Sequence, residues 1–182
     1  MSSFFHRKKL RLQGFDYSSY ASYFLTVCAY ERKHLFGCVE NGSMQLNSYG
    51  NIVHHELEHL PDFYDNIHIH NFVVMPNHIH ILLSIISNDL LYLEQGEIPQ
   101  PNKNNISQII RCFKAGVTRT INKNIQNNQN NKIWQKSFHD RIVRNEHEFE
   151  LFYNYIISNP TKWSDDCHNP QNIKYKKWEL GL

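Results

Sequence analysis

The chain has 182 residues, 41% of them hydrophobic and 20% charged, with a formal net charge of +2. That apolar content excludes a globally disordered chain, and no apolar run approaches the ~20 residues that a membrane-spanning helix needs. Cys28, Cys38, Cys112 and Cys167 are scattered without a Cys-x-x-Cys pair, which argues against a zinc ribbon or a redox motif and fits reduced thiols. With no charged-then-apolar leader at its basic start, the expectation is a soluble cytoplasmic protein.

Residues 23–30 (YFLTVCAY) are rich in β-formers and predict a first strand. Leu46-Asn47-Ser48 offers capping residues for a helix to about residue 64, with Ile52, Val53, Leu57 and Leu60 as its apolar stripe. A second strand is predicted over 67–75, and the Pro76-Asn77 turn returns it as a third over 78–86. Residues 88–105 carry Pro99 and Pro101 and read as a loop. A second helix follows from 106 to about 125, with Ile109, Ile110, Phe113 and Val117 inside. The Asn/Gln-rich run 124–131 is a connection, 133–143 alternates as a fourth strand, and 146–159 forms a third helix stopped at Pro160.

The first six elements of this β-α-β-β-α-β-α order make the split β-α-β arrangement of ferredoxin-like, RRM-like α+β domains, an antiparallel sheet with a tyrosine-bearing C-terminal helix added. One sheet face should be covered by helices and the other partly open. A single domain is expected over 1–182, with its core at about 8–163 and a tail at 164–182.

Charge is segregated along the chain. Between residues 107 and 144 stand eight basic residues, Arg111, Lys114, Arg119, Lys123, Lys132, Lys136, Arg141 and Arg144, opposed only by Asp140. Arg7, Lys8, Lys9 and Arg11 form a second basic cluster, whereas residues 40–65 and 146–150 are acidic. Such segregation points to a polyanion on one side of the molecule, and it equally fits a solvated helix face. If the partner is DNA, the candidate contacts are Arg11, Arg111, Lys114, Arg119, Lys136, Arg141 and Arg144.

The sharpest chemical signal is Met75-Pro76-Asn77-His78-Ile79-His80. Side chains alternate along a strand, so His78 and His80 project from the same face, about 6–7 Å apart along the chain, and can chelate one ion. In the last helix Phe149, Phe152, Tyr153 and Ile156 form the stripe expected against the sheet, which makes Tyr153 a core tyrosine. Tyr155 lies beside the stripe with Asn159 one turn on. The Asn159 oxygen would be the third ligand of a mixed N/O site suited to Mg²⁺ or Mn²⁺ acting on a phosphate. Tyr155 would then attack phosphorus and hold one strand end as a phosphotyrosine.

These residues resemble a known family. His78-Ile79-His80 is similar to the His-hydrophobic-His signature of the single-tyrosine HUH transposases, and Tyr155-Ile156-Ile157-Ser158-Asn159-Pro160 to their tyrosine segment. Trp134-Gln135 with Phe138, Asp140 and Arg144, and the opening from Arg11 through Tyr23 to Val27, resemble the family's remaining strands. The likeness is closest to the REP-associated tyrosine transposases and covers most of residues 8–163. It implies a ferredoxin-like fold and metal-dependent cutting and rejoining of single-stranded DNA beside palindromic hairpins. The implied intermediate is a 5′-phosphotyrosine at Tyr155 with His78, His80 and Asn159 on the metal. It also implies a nucleoid-associated protein acting as a monomer or homodimer.

Other readings stay open on the residues alone. His68-Ile69-His70 is a second His-x-His, without the Pro-Asn turn before it. A catalytically silent, RRM-like domain would bind single strands by stacking, with Trp134, Phe138 and Trp163 as candidates, although the first two suit a core better. A zinc hydrolase would not need Tyr155. A histidine-triad hydrolase is excluded, because Phe72 and Leu82 stand where a third histidine is required.

Overall fold

The computed structural model describes residues 21–86, 105–124 and 131–170. The basic cluster at 7–11, most of the expected loop and of the Asn/Gln-rich connection, and the end of the tail lie outside the described residues.

Strand β1 (Ser22–Cys28) leads through a hairpin, β2 (Gly37–Glu40) and β3 (Ser43–Leu46), into helix α1 (Ser48–Glu58). Strands β4 (Ile67–Met75) and β5 (His78–Ile85) follow, then helix α2 (Ile106–Asn124), strand β6 (His139–Val143) and helix α3 (Glu146–Ser158). The main sheet has the order β4-β5-β1-β6, and every neighbouring pair is antiparallel. That is the expected ferredoxin-like α+β architecture, with β5 and β1 in the middle and β4 and β6 at the edges.

Alternation divides the sheet into two unlike faces. Tyr23, Leu25 and Val27 of β1 and Ile79, Ile81, Leu83 and Ile85 of β5 share one buried cluster with Val53 and Leu57 of α1 and Ile109, Phe113 and Val117 of α2. Each such aliphatic side chain, once fully buried, contributes about 1.5–3 kcal/mol. The opposite face carries Phe24, Thr26, His78 and His80. Helix α3 lies on it, with the Phe152 ring stacked on Phe24 at 4.5 Å. The face expected to be partly open is thus covered in part by α3.

The β2–β3 hairpin is an addition to the expected elements, although its signal is present. Asn41 (φ 50°) and Gly42 (φ 74°) both adopt the left-handed region that a two-residue type I′ turn needs, and an Asn-Gly pair supplies it at little cost. Asn47 caps α1 as expected, its side-chain oxygen accepting from Tyr49 N at 2.9 Å and Gly50 N at 3.0 Å. The helix stops at Glu58 rather than near residue 64. Pro61 lacks the amide donor that an α-helix would use, and Leu60–Phe63 closes as a 3₁₀ turn.

The fourth strand is shorter than the alternation suggests. Trp134 makes a lone bridge to Ala29, and the chain pairs regularly only from His139. Between them Lys114 holds the irregular backbone, its Nζ donating to the carbonyls of Gln135 (2.5 Å), Lys136 and Ser137 (both 3.4 Å). Trp134 and Phe138 are core residues, as expected.

Two further expectations are corrected. Tyr153 is 38% exposed and sits on the flank of α3, because the helix meets the sheet through Phe149, Phe152 and the fully buried Ile156. Residues 164–170 are not a loose tail. After Pro160 the chain turns through a 3₁₀ segment, Pro160–Asp165, and folds back so that Asp166 and Asn169 are buried. No helix among the described residues is long and apolar enough to cross a membrane.

Candidate active site

His78 and His80 stand on an interior strand, not at the sheet edge, and both are essentially without solvent exposure. Their Nε2 atoms are 3.0 Å apart. Each ring is aimed by a partner on its other nitrogen. His80 Nδ1 pairs with Thr26 Oγ1 at 2.9 Å, from the neighbouring position on β1. His78 Nδ1 donates to Asn77 Oδ1 at 2.9 Å. The orientation of Asn77 is fixed by its Nδ2, which donates to Arg32 O at 3.2 Å and His168 O at 2.7 Å. His78 Nδ1 therefore carries the proton and Nε2 presents its lone pair. The Pro-Asn turn thus orients the first histidine as well as reversing the chain.

Burial holds both imidazoles neutral, pushing His80 down to about 3 and His78 well below the ordinary histidine value, with neighbouring histidines adding to the effect. Two neutral ring nitrogens facing each other at this distance suit a shared cation. Ligands about 2.1 Å from an ion and at right angles around it are themselves about 3.0 Å apart.

Helix α3 brings the other expected groups to the same place. The Tyr155 ring lies 5.2 Å from His80 and meets Phe24 edge-on at 5.8 Å. Burial, followed by the charge of Asp166, raises its phenol to about 12. One turn later Asn159 is buried, its Nδ2 donating to Asp166 Oδ2 at 3.4 Å while its Oδ1 has no hydrogen-bond partner. A buried amide oxygen without a hydrogen-bond partner, on a side chain bound to the carboxylate that neighbours His78, is a candidate cation ligand. The donor set therefore fits a divalent metal.

Sequence reasoning alone does not find Asp166 and His168. The metal-binding atoms available on His78, Asp166 and His168 all lie within 4.8 Å of one another. The His168 ring is 4.5 Å from His78 and 6.3 Å from His80. The signal is the Asp165-Asp166-Cys167-His168 run, dense in ligand-type residues but without any periodicity to place it.

The basic residues are more dispersed. Arg111 and Arg119 are exposed on α2, which packs on the sheet face away from the histidines. With Lys132, Lys136 and Trp134, Arg119 lines an open groove of ≈ 640 Å³. Lys114 departs from its expected role, since its ammonium is committed to backbone carbonyls. Arg141 does face the site side, next to Phe24 in register and 5.2 Å over the Phe152 ring, but Glu148 pairs with it at 2.9 Å. Arg144 is exposed, and its backbone N–H donates to the other Glu148 oxygen at 3.0 Å. Arg11 lies outside the described residues.

No protein-family model matches the chain. An uncharacterized protein of Haemophilus influenzae is 37% identical over 168 residues, covering 88% of this chain and 92% of its own length. A second protein of the same organism, assigned by inference as a REP-associated tyrosine transposase, is 23% identical over 154 residues, covering 81% of this chain and 74% of its own. A solved REP-associated tyrosine transposase bound to a REP hairpin shares the fold, with a TM-score of 0.54 at 20% identity over 89% of this chain and 81% of that one. The chain thus resembles the REP-associated tyrosine transposases in sequence and shares the fold of one of them.

His68 and His70, the rival pair, lie on edge strand β4, where His70 Nε2 is bound to Ser84 Oγ at 2.7 Å.

Proposed function

We propose that this protein is a transposase that nicks and rejoins single-stranded DNA through a 5′-phosphotyrosine at Tyr155, next to hairpin-forming palindromic repeats. The observation that carries the reading is that the buried Nε2 atoms of His78 and His80 face each other at 3.0 Å, with the part-exposed Tyr155 ring 5.2 Å from His80 and the orphaned Asn159 oxygen one turn along the same helix. The hairpin partner is supported by the relative of the same fold, which is bound to a REP hairpin.

The cation, Mg²⁺ or Mn²⁺ in this reading, would be held by His78, His80 and Asn159. When bound it supplies positive charge to the phosphate oxygens and to a phenolate. The chain's own residues do the rest. Tyr155 Oη attacks phosphorus, the bond to the 3′ oxygen breaks, and a 5′-phosphotyrosine and a 3′-hydroxyl result. The reverse reaction with a different 3′-hydroxyl rejoins the strand and restores the phenol, so no nucleotide cofactor is consumed. Thr26 and Asn77 keep both rings aimed throughout. Partial burial and the charge of Asp166 raise the phenol to about 12, so a positive charge placed beside it would be needed to favour the phenolate at neutral pH.

Incubation of labelled hairpin-flanked single strands with the protein tests this reading. A covalent adduct that survives denaturing electrophoresis should form with Mn²⁺ and be absent with a chelator. Retarded DNA without an adduct under every metal condition would favour a catalytically silent binding domain.

A further inference from the structure

The segment after the tyrosine helix packs against the histidine pair with chemistry that the three-ligand site does not use. His168 brings a third imidazole, its ring 4.5 Å from that of His78, and its Nδ1 is buried without a hydrogen-bond partner. Asp166 brings a carboxylate whose ligand atom lies within 4.8 Å of those of His78 and His168. The same carboxylate accepts from Asn159 Nδ2 at 3.4 Å, leaving the Asn159 oxygen unpaired. A buried nitrogen and a buried oxygen, both without partners, flank the same carboxylate, and each is costly to bury unless something accepts its lone pair.

We infer that Asp166 and His168 are ligands of the same cation as His78, His80 and Asn159, so that the centre is a three-imidazole, two-oxygen site. This inference rests on the proposed metal site and extends its ligand set. The segment is built to hold those positions. Asp166 Oδ1 accepts from the backbone N–H of His168 at 2.6 Å, which makes a tight turn of residues 166–168. Asn77, through its Nδ2, anchors the His168 carbonyl. Asn169 Nδ2 donates to Trp163 O at 2.9 Å and closes the loop. The asparagine that aims His78 therefore also positions His168, and one side chain sets both.

The ligand count has a consequence for metal choice. Mg²⁺ favours oxygen donors and retains its waters, whereas imidazole suits the later first-row ions. Three imidazoles therefore favour Mn²⁺ and, more strongly, Zn²⁺ over Mg²⁺.

The test is metal binding by the full-length, metal-stripped chain, without DNA. Mn²⁺ and Mg²⁺ are titrated calorimetrically, and the Mn²⁺-loaded protein is probed by pulsed EPR for coordinated imidazole nitrogens. The expected result is coupling to three imidazoles and binding of Mn²⁺ about tenfold or more tighter than Mg²⁺. His168→Ala should weaken Mn²⁺ by at least about tenfold and reduce the count to two, while leaving the carbonyl that Asn77 holds. Asp166→Asn should also weaken Mn²⁺, although its side-chain oxygen can still accept from the His168 amide. His139→Gln is the control, since it removes an exposed histidine from the same sheet face that supplies no ligand. A wild-type count of two imidazoles, or unchanged affinity in His168→Ala, would overturn the inference and leave the three-ligand reading standing. No metal binding by the wild type at all would sink both.

Discussion

The chain contains two His-x-His pairs ten residues apart, and their internal geometry is nearly the same. The rings of His68 and His70 are 4.6 Å apart at 73°, and those of His78 and His80 are 4.6 Å apart at 74°. Their surroundings differ. The first pair lies on edge strand β4 at an irregularity between Ile69 and Asn71, with His68 exposed and His70 packed edge-on against Phe149. The second lies on interior strand β5, buried, with Thr26 and Asn77 behind it, Tyr155 beside His80, and Asp166 and His168 beside His78. A histidine pair becomes a candidate metal site through what fixes its outer nitrogens and what oxygen donors face its inner ones.

Exchanging the two pairs for alanine is the largest way to break that comparison. His78→Ala with His80→Ala should abolish metal binding and strand cleavage, whereas His68→Ala with His70→Ala should leave both within about twofold, as expected for partly exposed side chains. Because His78 and His80 are fully buried, their loss also empties core volume, so a lower melting temperature should accompany the first double change but not the second. Calorimetric metal titration and thermal melts read both effects.

A subtler comparison removes the orienting hydroxyls. Thr26→Val deletes the partner of His80 Nδ1 with little change of shape and should weaken metal binding by about 10–100-fold. Ser84→Ala deletes the partner of His70 and should leave metal affinity unchanged.

The buried pair should also govern acid stability in the metal-free protein. Both imidazoles titrate below their unfolded value near 6.5, His80 at about 3, so as pH falls below about 6.5 the unfolded chain binds more protons. Their contribution is fully present above about pH 6.5 and is lost as pH falls, by up to about 1.4 kcal/mol per pH unit for each ring. Denaturant melts from pH 7.5 to 4.5 should show this slope, and His80→Gln should flatten it.

The smallest effect concerns surfaces far from either pair. Replacing Arg111 and Arg119 together should weaken binding to every single strand and lower the salt slope by about 0.7 for each phosphate that is no longer neutralised. An unchanged slope would make that face of α2 a solvated surface only. Lys114 does not belong in that experiment, because its removal would release the backbone before β6.

How much of this is legible in the sequence follows from how local each determinant is. The α1 cap at Asn47, the β4 and β5 boundaries and the buried stripe of α2 are set by neighbouring residues, and all can be read directly. The Asn41-Gly42 hairpin is equally local, but its short strands are half-exposed and stand among polar neighbours, which blurs the alternation. Tyr153 is misplaced on spacing alone because helical periodicity gives a stripe but not its centre. Asp166 and His168 cannot be placed from the sequence: their position depends on Asn77, a partner 91 residues from His168.

Mapping the covalent adduct identifies the nucleophile. Wild-type protein is incubated with a labelled hairpin-flanked single strand and Mn²⁺, denatured and digested, and the DNA-bearing peptide is sequenced. Attachment is expected at Tyr155, lost in Tyr155→Phe with DNA affinity retained and unaffected by Tyr153→Phe. Attachment at Tyr153 or Tyr175, or an adduct that persists in Tyr155→Phe, would contradict that assignment.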